Sequence, residues 1–370
     1  MASGESRAVQ RAGSPFHKGE QTIQERLGVR ERLEEQGRRV IRDYLPTQHQ
    51  EFYAHLPFVL AGTIDQTGQP WASLLVGQPG FVSSPDPHTL TVNAHPIFGD
   101  PLNENLVANA DVGLLGIEFQ SRRRNRLTGK VVTAGNGTTD IRVVQTFGNC
   151  PQYIQARDYE LSSAIDRVGE KLPVERLEAL GESARTFITK ADNFYIASQF
   201  SEDRAEASHG IDVSHRGGKA GFVRIDDEHT LTWPDFVGNF HFNTLGNLLL
   251  NPRAGLLFID FDTQDLLYLT GTVEIIWDSE ERRAFTGAQR LLRFSLVQAI
   301  RVSHALPMTW RFQDYSPTLD QTGSWEEVTA TLAARARGNR YREYVVTRVE
   351  QESATISSFY LEPQGGEPLP

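Results

Sequence analysis

Two stretches of this chain bring together the residue types that hold an anion. Asp212-Val213-Ser214-His215-Arg216-Gly217-Gly218 reads as a strand carrying a hydroxyl, an imidazole and a guanidinium. The two glycines after it let backbone come close to a bound group. Asn243 and Thr244 open a short helix, Thr244–Asn251, that Pro252 ends. The first turn of a helix has unpaired N–H groups and a partial positive charge, which suits a phosphate. Arg216 can add a bidentate pair, and each hydrogen bond to a charged group contributes roughly 1.5–3 kcal/mol. Three or four such bonds would retain a ligand at micromolar concentration or below.

The basic run Arg122-Arg123-Arg124-Asn125-Arg126 lies on a predicted hairpin before Leu127-Thr128-Gly129, where it could face a ligand or solvent. His88 and His229 have matching neighbours, which points to a structural place at a strand start. Cys150 is the only cysteine, so no intrachain disulfide forms. It reads as a buried, inert thiol in a reducing compartment, and a cytoplasmic location is expected. The ten histidines show no HExxH or Cys/His ligand spacing, so no metal site is expected. GxGxxG, P-loop and GxSxG patterns are missing too. No catalytic residue can be named.

Composition sets the frame for these residues. The 370 residues exceed the roughly 250–300 that one core supports, so about two domains are expected. Acidic side chains outnumber basic ones, 47 to 37, for a net charge of −10. That excludes a general polyanion binder, which needs clustered positive charge. No stretch approaches the roughly 18–20 apolar residues of a membrane span. The polar start, Met1 to Arg11, lacks the apolar run of a secretory signal.

Residues 1–20 read as a flexible leader, followed by a helical pattern over 21–45 and a short helix over Thr47–His55. Phe58–Ile64 and Trp71–Val76 read as a hairpin across the turn Gln66-Thr67-Gly68-Gln69. The chain then repeats itself. From Gly77 to Thr91 and from Gly218 to Thr232, 141 residues further on, 9 of 15 positions are identical. Asn105-Leu106, Gly113-Leu114-Leu115 and Leu127-Thr128-Gly129 recur as Asn247-Leu248, Gly255-Leu256-Leu257 and Leu269-Thr270-Gly271. Phe58-Val59-Leu60-Ala61 corresponds to Phe194-Tyr195-Ile196-Ala197. Blocks that keep their order and spacing mark a duplication. Each copy reads as short strands around one short helix, Asn105–Ala110 in the first, and closing into a barrel would remove the exposed edges. A helix is expected from Pro173 to about Ile188, and 133–170 reads as an irregular crossing between the copies.

The stretch from Phe240 to Phe258, with its Asn251-Pro252-Arg253-Ala254 turn, resembles the FMN-binding split-barrel superfamily of pyridoxamine 5′-phosphate oxidases. Trp71-Ala72-Ser73-Leu74-Leu75-Val76-Gly77 is similar to that family's first flavin strand. Phe16-His17-Lys18-Gly19-Glu20, Phe147-Gly148-Asn149-Cys150-Pro151 and Tyr315-Ser316-Pro317 resemble a long-chain subgroup. The resemblance covers about residues 16–327. It implies a mainly β fold with flanking helices (α+β): two tandem split β-barrels packed as an intrachain pseudo-dimer around FMN. Where the family commonly has Arg-Lys, this chain has Asn243-Thr244. The first copy has Trp71 and Val76 in its strand and Pro101 and Leu102 at its helix start, so the second copy is the expected binder. The expected cofactor contacts are Ser214, His215, Arg216, Trp233, Asp235, Asn243 and Thr244. Arg124 joins them from the first copy, beside the flavin ring, and the family's Trp and Arg suggest Trp310 and Arg311.

The function implied is a flavin-dependent oxidoreductase acting on a small molecule, with a non-catalytic flavin- or haem-binding module as the alternative. A homodimer is compatible with it; nucleic acid and membrane partners are not expected. The expected divisions are a leader 1–20, a first copy 21–170, a second copy 171–327, and a linker with reductase start 328–370. In the last of these, Tyr344–Val349 and Thr355–Leu361 alternate like the opening strands of a ferredoxin-reductase-type FAD domain. The expectation is a truncated chain whose longer form adds an NAD(P)H-fed reductase module.

Overall fold

The computed structural model describes residues 13–202, 206–338 and 344–363. It is mainly β, with antiparallel sheets and short helices, and divides into two compact units, one ending at Trp325 and one beginning at Glu326. Among the described residues no helix is long and apolar enough to cross a membrane.

The helical pattern over 21–45 resolves into α1 (Lys18–Arg26) and α2 (Arg30–Val40), broken at Gly28, where φ is +67°. The third helix, α3 (Thr47–His55), follows. Residues 1–12 of the expected leader lie outside the described residues. The rest of it is not loose: Phe16, His17 and Glu20 are buried, and His17 and Glu20 form a capping box that starts α1.

The first copy contains β1 (Phe58–Ile64), β2 (Pro70–Val76), β3 (Val82–Asp86), β4 (Thr89–Asn93), α4 (Leu102–Asn105), β5 (Asp111–Glu118), β6 (Arg123–Gly135) and β7 (Thr138–Asn149). These strands form one sheet in the order β2-β1-β5-β6-β7-β4-β3. After it come β8 (Ala156–Leu161), β9 (Val174–Leu177) and α5 (Glu182–Lys190). The second copy contains β10 (Asn193–Phe200), β11 (Gly210–Gly217), β12 (Arg224–Ile225), β13 (Thr230–Asp235), α6 (Asn243–Leu250), β14 (Arg253–Ile259), β15 (Leu266–Ile276), α7 (Glu280–Ala284) and β16 (Arg290–Val302). Its strands are ordered β11-β10-β14-β15-β16-β13-β12, the same order position for position. Next, β17 (Met308–Asp314) pairs with β8. The helix α8 (Trp325–Gly338) leads into the second unit, where β18 (Tyr344–Gln351) and β19 (Ser357–Pro363) form an antiparallel hairpin.

The repetition extends to irregularities that chance would not duplicate. A β-bulge interrupts the register at Thr128/Gly129 in the first sheet and at Thr270/Gly271 in the second. Asn105 Nδ2 donates to Thr63 Oγ1, and Asn247 Nδ2 donates to Ser198 Oγ, each at 3.2 Å. The backbone N–H of His88 donates to Asp86 and that of His229 to Asp227, both at 2.7 Å. The matched histidines thus sit at matched turns.

Three expectations need correction. Residues 133–149 are not an irregular crossing, because β6 and β7 form a long hairpin turned at Asn136 (φ +52°) and Gly137 (φ +77°). An Asn-Gly pair with both φ values positive is a strong hairpin signal. The helix expected from Pro173 is instead β9, a strand that pairs with Val302 to Ala299 and covers part of β16; helix begins only after Gly181. The first-strand match is displaced by one residue. Gly62 pairs with Gly113 and Ala72, while Ala197 pairs with Gly255 and Val213, so Phe58 corresponds to Asn193 rather than to Phe194.

Each copy has its own core, and a third core lies between them. Val59 and Ala61 pack within the first copy and Phe194 and Ile196 within the second. Their strand neighbours Leu60, Tyr195 and Ala197 face the shared core. Gly113 and Gly255 lie there too. A Cβ on Gly113 would run into the Ile211 carbonyl oxygen, and one on Gly255 into that of Pro70. The repeated glycines therefore allow each copy's fifth strand to rest on the other copy's second strand.

Candidate functional site

A cavity lies where strand β6 of the first copy meets β11, β13 and the start of α6 in the second. Its walls include Ser214, His215, Arg216 and Asp235, joined by Asn243, Thr244 and, from the first copy, Arg124. About 620 Å³ is free of protein atoms, solvent at the mouth included. A second hollow adjoins it through Arg124, His215 and Arg216 and continues past Tyr153 and Phe236.

Strand geometry explains the convergence. Arg124 and Arg126 are two residues apart on β6, so both side chains leave the same face. Arg126 is buried; its guanidinium lies 3.5 Å from Asp212 Oδ1 and donates to Ser214 Oγ. Ser214 Oγ and Thr244 Oγ1 are 2.8 Å apart, which ties β11 to the first turn of α6. Phe242, just before that helix, has φ +64° and provides no side-chain cap. Gly246 is the first N–H of the helix to bond back to it, at 2.6 Å, so the earlier amides have no partner in the helix itself.

Arg124 Nε donates to the Cys150 carbonyl at 2.7 Å, and its Nη1 lies 3.3 Å from His215 Nδ1. A guanidinium can only donate, so His215 Nδ1 accepts and the ring proton sits on Nε2. That Nε2, together with Arg126 Nε, is buried without a hydrogen-bond partner among the described residues. Arg216 and Arg290 share Asp235, with bonds of 2.7 and 2.9 Å to its two oxygens.

The charge balance favours an anion. Burial lowers the pKa of Arg124 and of Arg126, yet a guanidinium stays charged in proteins. Burial pushes Glu20 well above the usual carboxylate range, helped by the charge of Asp212. Burial also raises Asp212, against the pull of Arg126. Glu20 accepts from the His17 backbone N–H at 2.8 Å and from the Asn243 side chain. The Phe16–Glu20 motif is thus part of the wall behind α6.

Burial keeps four histidines near this wall or the first-copy helices neutral. It lowers His17, His49 and His241 from 6.5 to about 4, and holds His215 well below 6.5, with Arg124 and Arg216 adding to the effect there. Each takes up a proton in the unfolded chain before it does so in the fold. The stability linked to them is present above pH 6.5 and is lost as pH falls from there towards 4. Ring ¹⁵N shifts at pH 5.5 should report all four as neutral. A charged ring at that pH would mean that residue is not buried as placed here.

Three of the expected contacts are elsewhere. Trp233 is 1% exposed and packs edge-on against Phe194 in the second copy's core. Trp310 packs among Phe58, Phe119 and Phe261, with ring centroids 5.2–5.6 Å away. Arg311 is exposed and paired with Asp158 at 2.8 Å. Both lie on β17 and line neither hollow, while Gln152 and Tyr153 of the first copy line the second. Arg126, which the basic run 122–126 included without singling it out, lines the cavity, and Arg290 does not line it but pairs with Asp235, which does. The period of two along β6 could have singled out Arg126; no local pattern marks Arg290. Among the described residues no group of three or more His, Cys, Asp or Glu side chains is placed to hold a metal.

No family profile matches the chain, and no curated protein matches its sequence. Among solved structures it is similar to a variant of HupZ from Group A Streptococcus, at 11% identity and TM-score 0.26, over 33% of this chain and 98% of that one. It is also similar to a candidate pyridoxamine 5′-phosphate oxidase from Lactobacillus delbrueckii, at 12% and 0.26, over 33% and 94%. A conserved protein of unknown function from Corynebacterium diphtheriae gives 14% and 0.24, over 35% and 98%. At such TM-scores the likeness decides neither fold nor function.

Proposed function

We propose that the cavity holds flavin mononucleotide and that the chain is a flavin-dependent oxidoreductase built from two split-barrel copies. One observation carries the reading: a helix start without a side-chain cap meets Ser214 and Thr244 in one cavity beside Arg124, Arg126 and Arg216. Ser214, Thr244 and Arg126 would hold the phosphate. Arg124 would meet the electron-rich edge of the ring, and a cation there favours the reduced, anionic form. Bound there, the flavin supplies electron transfer; the chain supplies binding, orientation and charge. Asp235 holds Arg216 and Arg290 in place. The substrate would be a small molecule and the electrons would come from a separate nicotinamide-fed donor.

Titration decides the matter. The ligand-free chain should bind FMN at one per chain, with riboflavin at least tenfold weaker because the phosphate bonds are lost. Equal affinity for the two would remove the phosphate role of the α6 end, and no binding of either would end the flavin reading.

A further inference from the structure

The repeat lets each wall of the second-copy cavity be compared with its counterpart in the first. Strand pairing makes Ser73 the equivalent of Ser214, since Ala72 opposes Gly62 where Val213 opposes Ala197. It makes Tyr268 the equivalent of Arg126, since they oppose Leu257 and Leu115. Counting back from the matched Asn105 and Asn247, Asp100 and Leu102 stand where Phe242 and Thr244 stand.

In the second copy, Ser214 bonds directly to Thr244 and Arg126 beside the candidate phosphate position. In the first, a carboxylate is there. Ser73 Oγ donates to Asp100 Oδ1 at 2.6 Å and the Leu102 N–H donates to the same oxygen at 2.8 Å. The Tyr268 hydroxyl, from the other copy, donates to Oδ2 at 3.0 Å. Asp100 is 2% exposed and its three partners are fully buried. We infer that the Asp100 carboxylate stands in for a bound anion, so that the first-copy pocket is an anion site the chain fills with its own side chain.

An ordinary turn would need only the Leu102 contact; the hydroxyl reaching across from β15 serves the carboxylate, as Arg126 reaches across to Ser214. Substitution on the neighbouring wall agrees. Leu74 and Leu75 replace His215 and Arg216, and Leu266 replaces Arg124, so no further charged donor is left there for an external ligand. The consequence is one open site per chain. This goes beyond the flavin reading and fails separately from it, because its test touches only the first-copy pocket.

The test is rescue of the full chain carrying Asp100→Ala by formate, a free carboxylate. In sodium chloride its melting temperature should fall by roughly 5–10 °C, since several buried donors lose their acceptor. Sodium formate at the same ionic strength and pH should restore at least half of that loss while leaving the unsubstituted chain where it was. Loss without a formate-specific recovery, or no loss at all, overturns the inference. If the variant does not fold in chloride, refolding yield replaces melting temperature: more folded chain in formate supports the inference, and equal yields overturn it.

Discussion

A chain carrying Arg126→Gln together with Asp212→Asn should fold and should bind FMN roughly ten- to a hundredfold more weakly, with riboflavin affinity unchanged. The range follows from the loss of one charge-assisted hydrogen bond, about 1.5–3 kcal/mol, at 1.4 kcal/mol per tenfold. The second substitution matters. Arg126 is 5% exposed and is the partner of Asp212, which lies close to the buried carboxyl of Glu20. Removing the arginine alone would leave a buried carboxylate without its cation, at a cost of about 3–5 kcal/mol, and lost binding could then reflect a damaged fold. Replacing both charges by amides removes the ion pair as a unit and leaves a polar group at each position. Fluorescence titration at fixed ionic strength reads the result. An FMN affinity within threefold of the original would mean that Arg126 is not on the phosphate, and riboflavin weakening in parallel would place it elsewhere on the ligand.

The Arg126 half of that variant sits on the first copy and is read out on the second, which shows what was legible in the sequence and what was not. Motifs that stay local were readable. Ser214, His215 and Arg216 lie on one strand, Asn243 and Thr244 begin one helix, and the structure places all five around one cavity. Contacts between segments far apart in the sequence were not readable. Tyr268 on Asp100, Glu20 on Asn243 and Arg290 on Asp235 join segments whose nearness only the fold creates. The one-residue slip in the first strand has a physical cause as well. Phe58–Ala61 and Phe194–Ala197 are buried on both faces, so neither shows the alternation that would fix its phase. Trp310 and Arg311 were misassigned because the resemblance supplies residue types without saying which copy's strand faces which pocket.

The largest structural effect is expected at Gly19. Gly19→Ala should lower the melting temperature by roughly 5 °C or more, through an overpacking cost of about 1–3 kcal/mol and the loosened packing that follows. It should also weaken FMN binding. A Cβ there would overlap the Gly246 carbonyl oxygen, and a Cβ on Gly246 would lie 2.6 Å from the Glu20 backbone nitrogen. Backbone obstructs on both sides, so no rotamer change relieves the clash and α1 must move off α6. When it moves, Asn243 loses the Glu20 carboxylate, and the buried side chains of Phe16 and Ile23 meet water. The sign of the effect separates this account from a generic one. In a helix, alanine is favoured over glycine by about 0.5–1 kcal/mol, so a helix free of this clash would become more stable. Gly135→Ala, in open space on β6, is the control for a glycine that meets nothing. Trypsin offers a second reading, since Lys18 and Arg26 bound α1 and should become cleavable only once that helix has lifted. A Gly19→Ala chain that melts higher and resists trypsin would mean that α1 does not rest on α6 through these glycines.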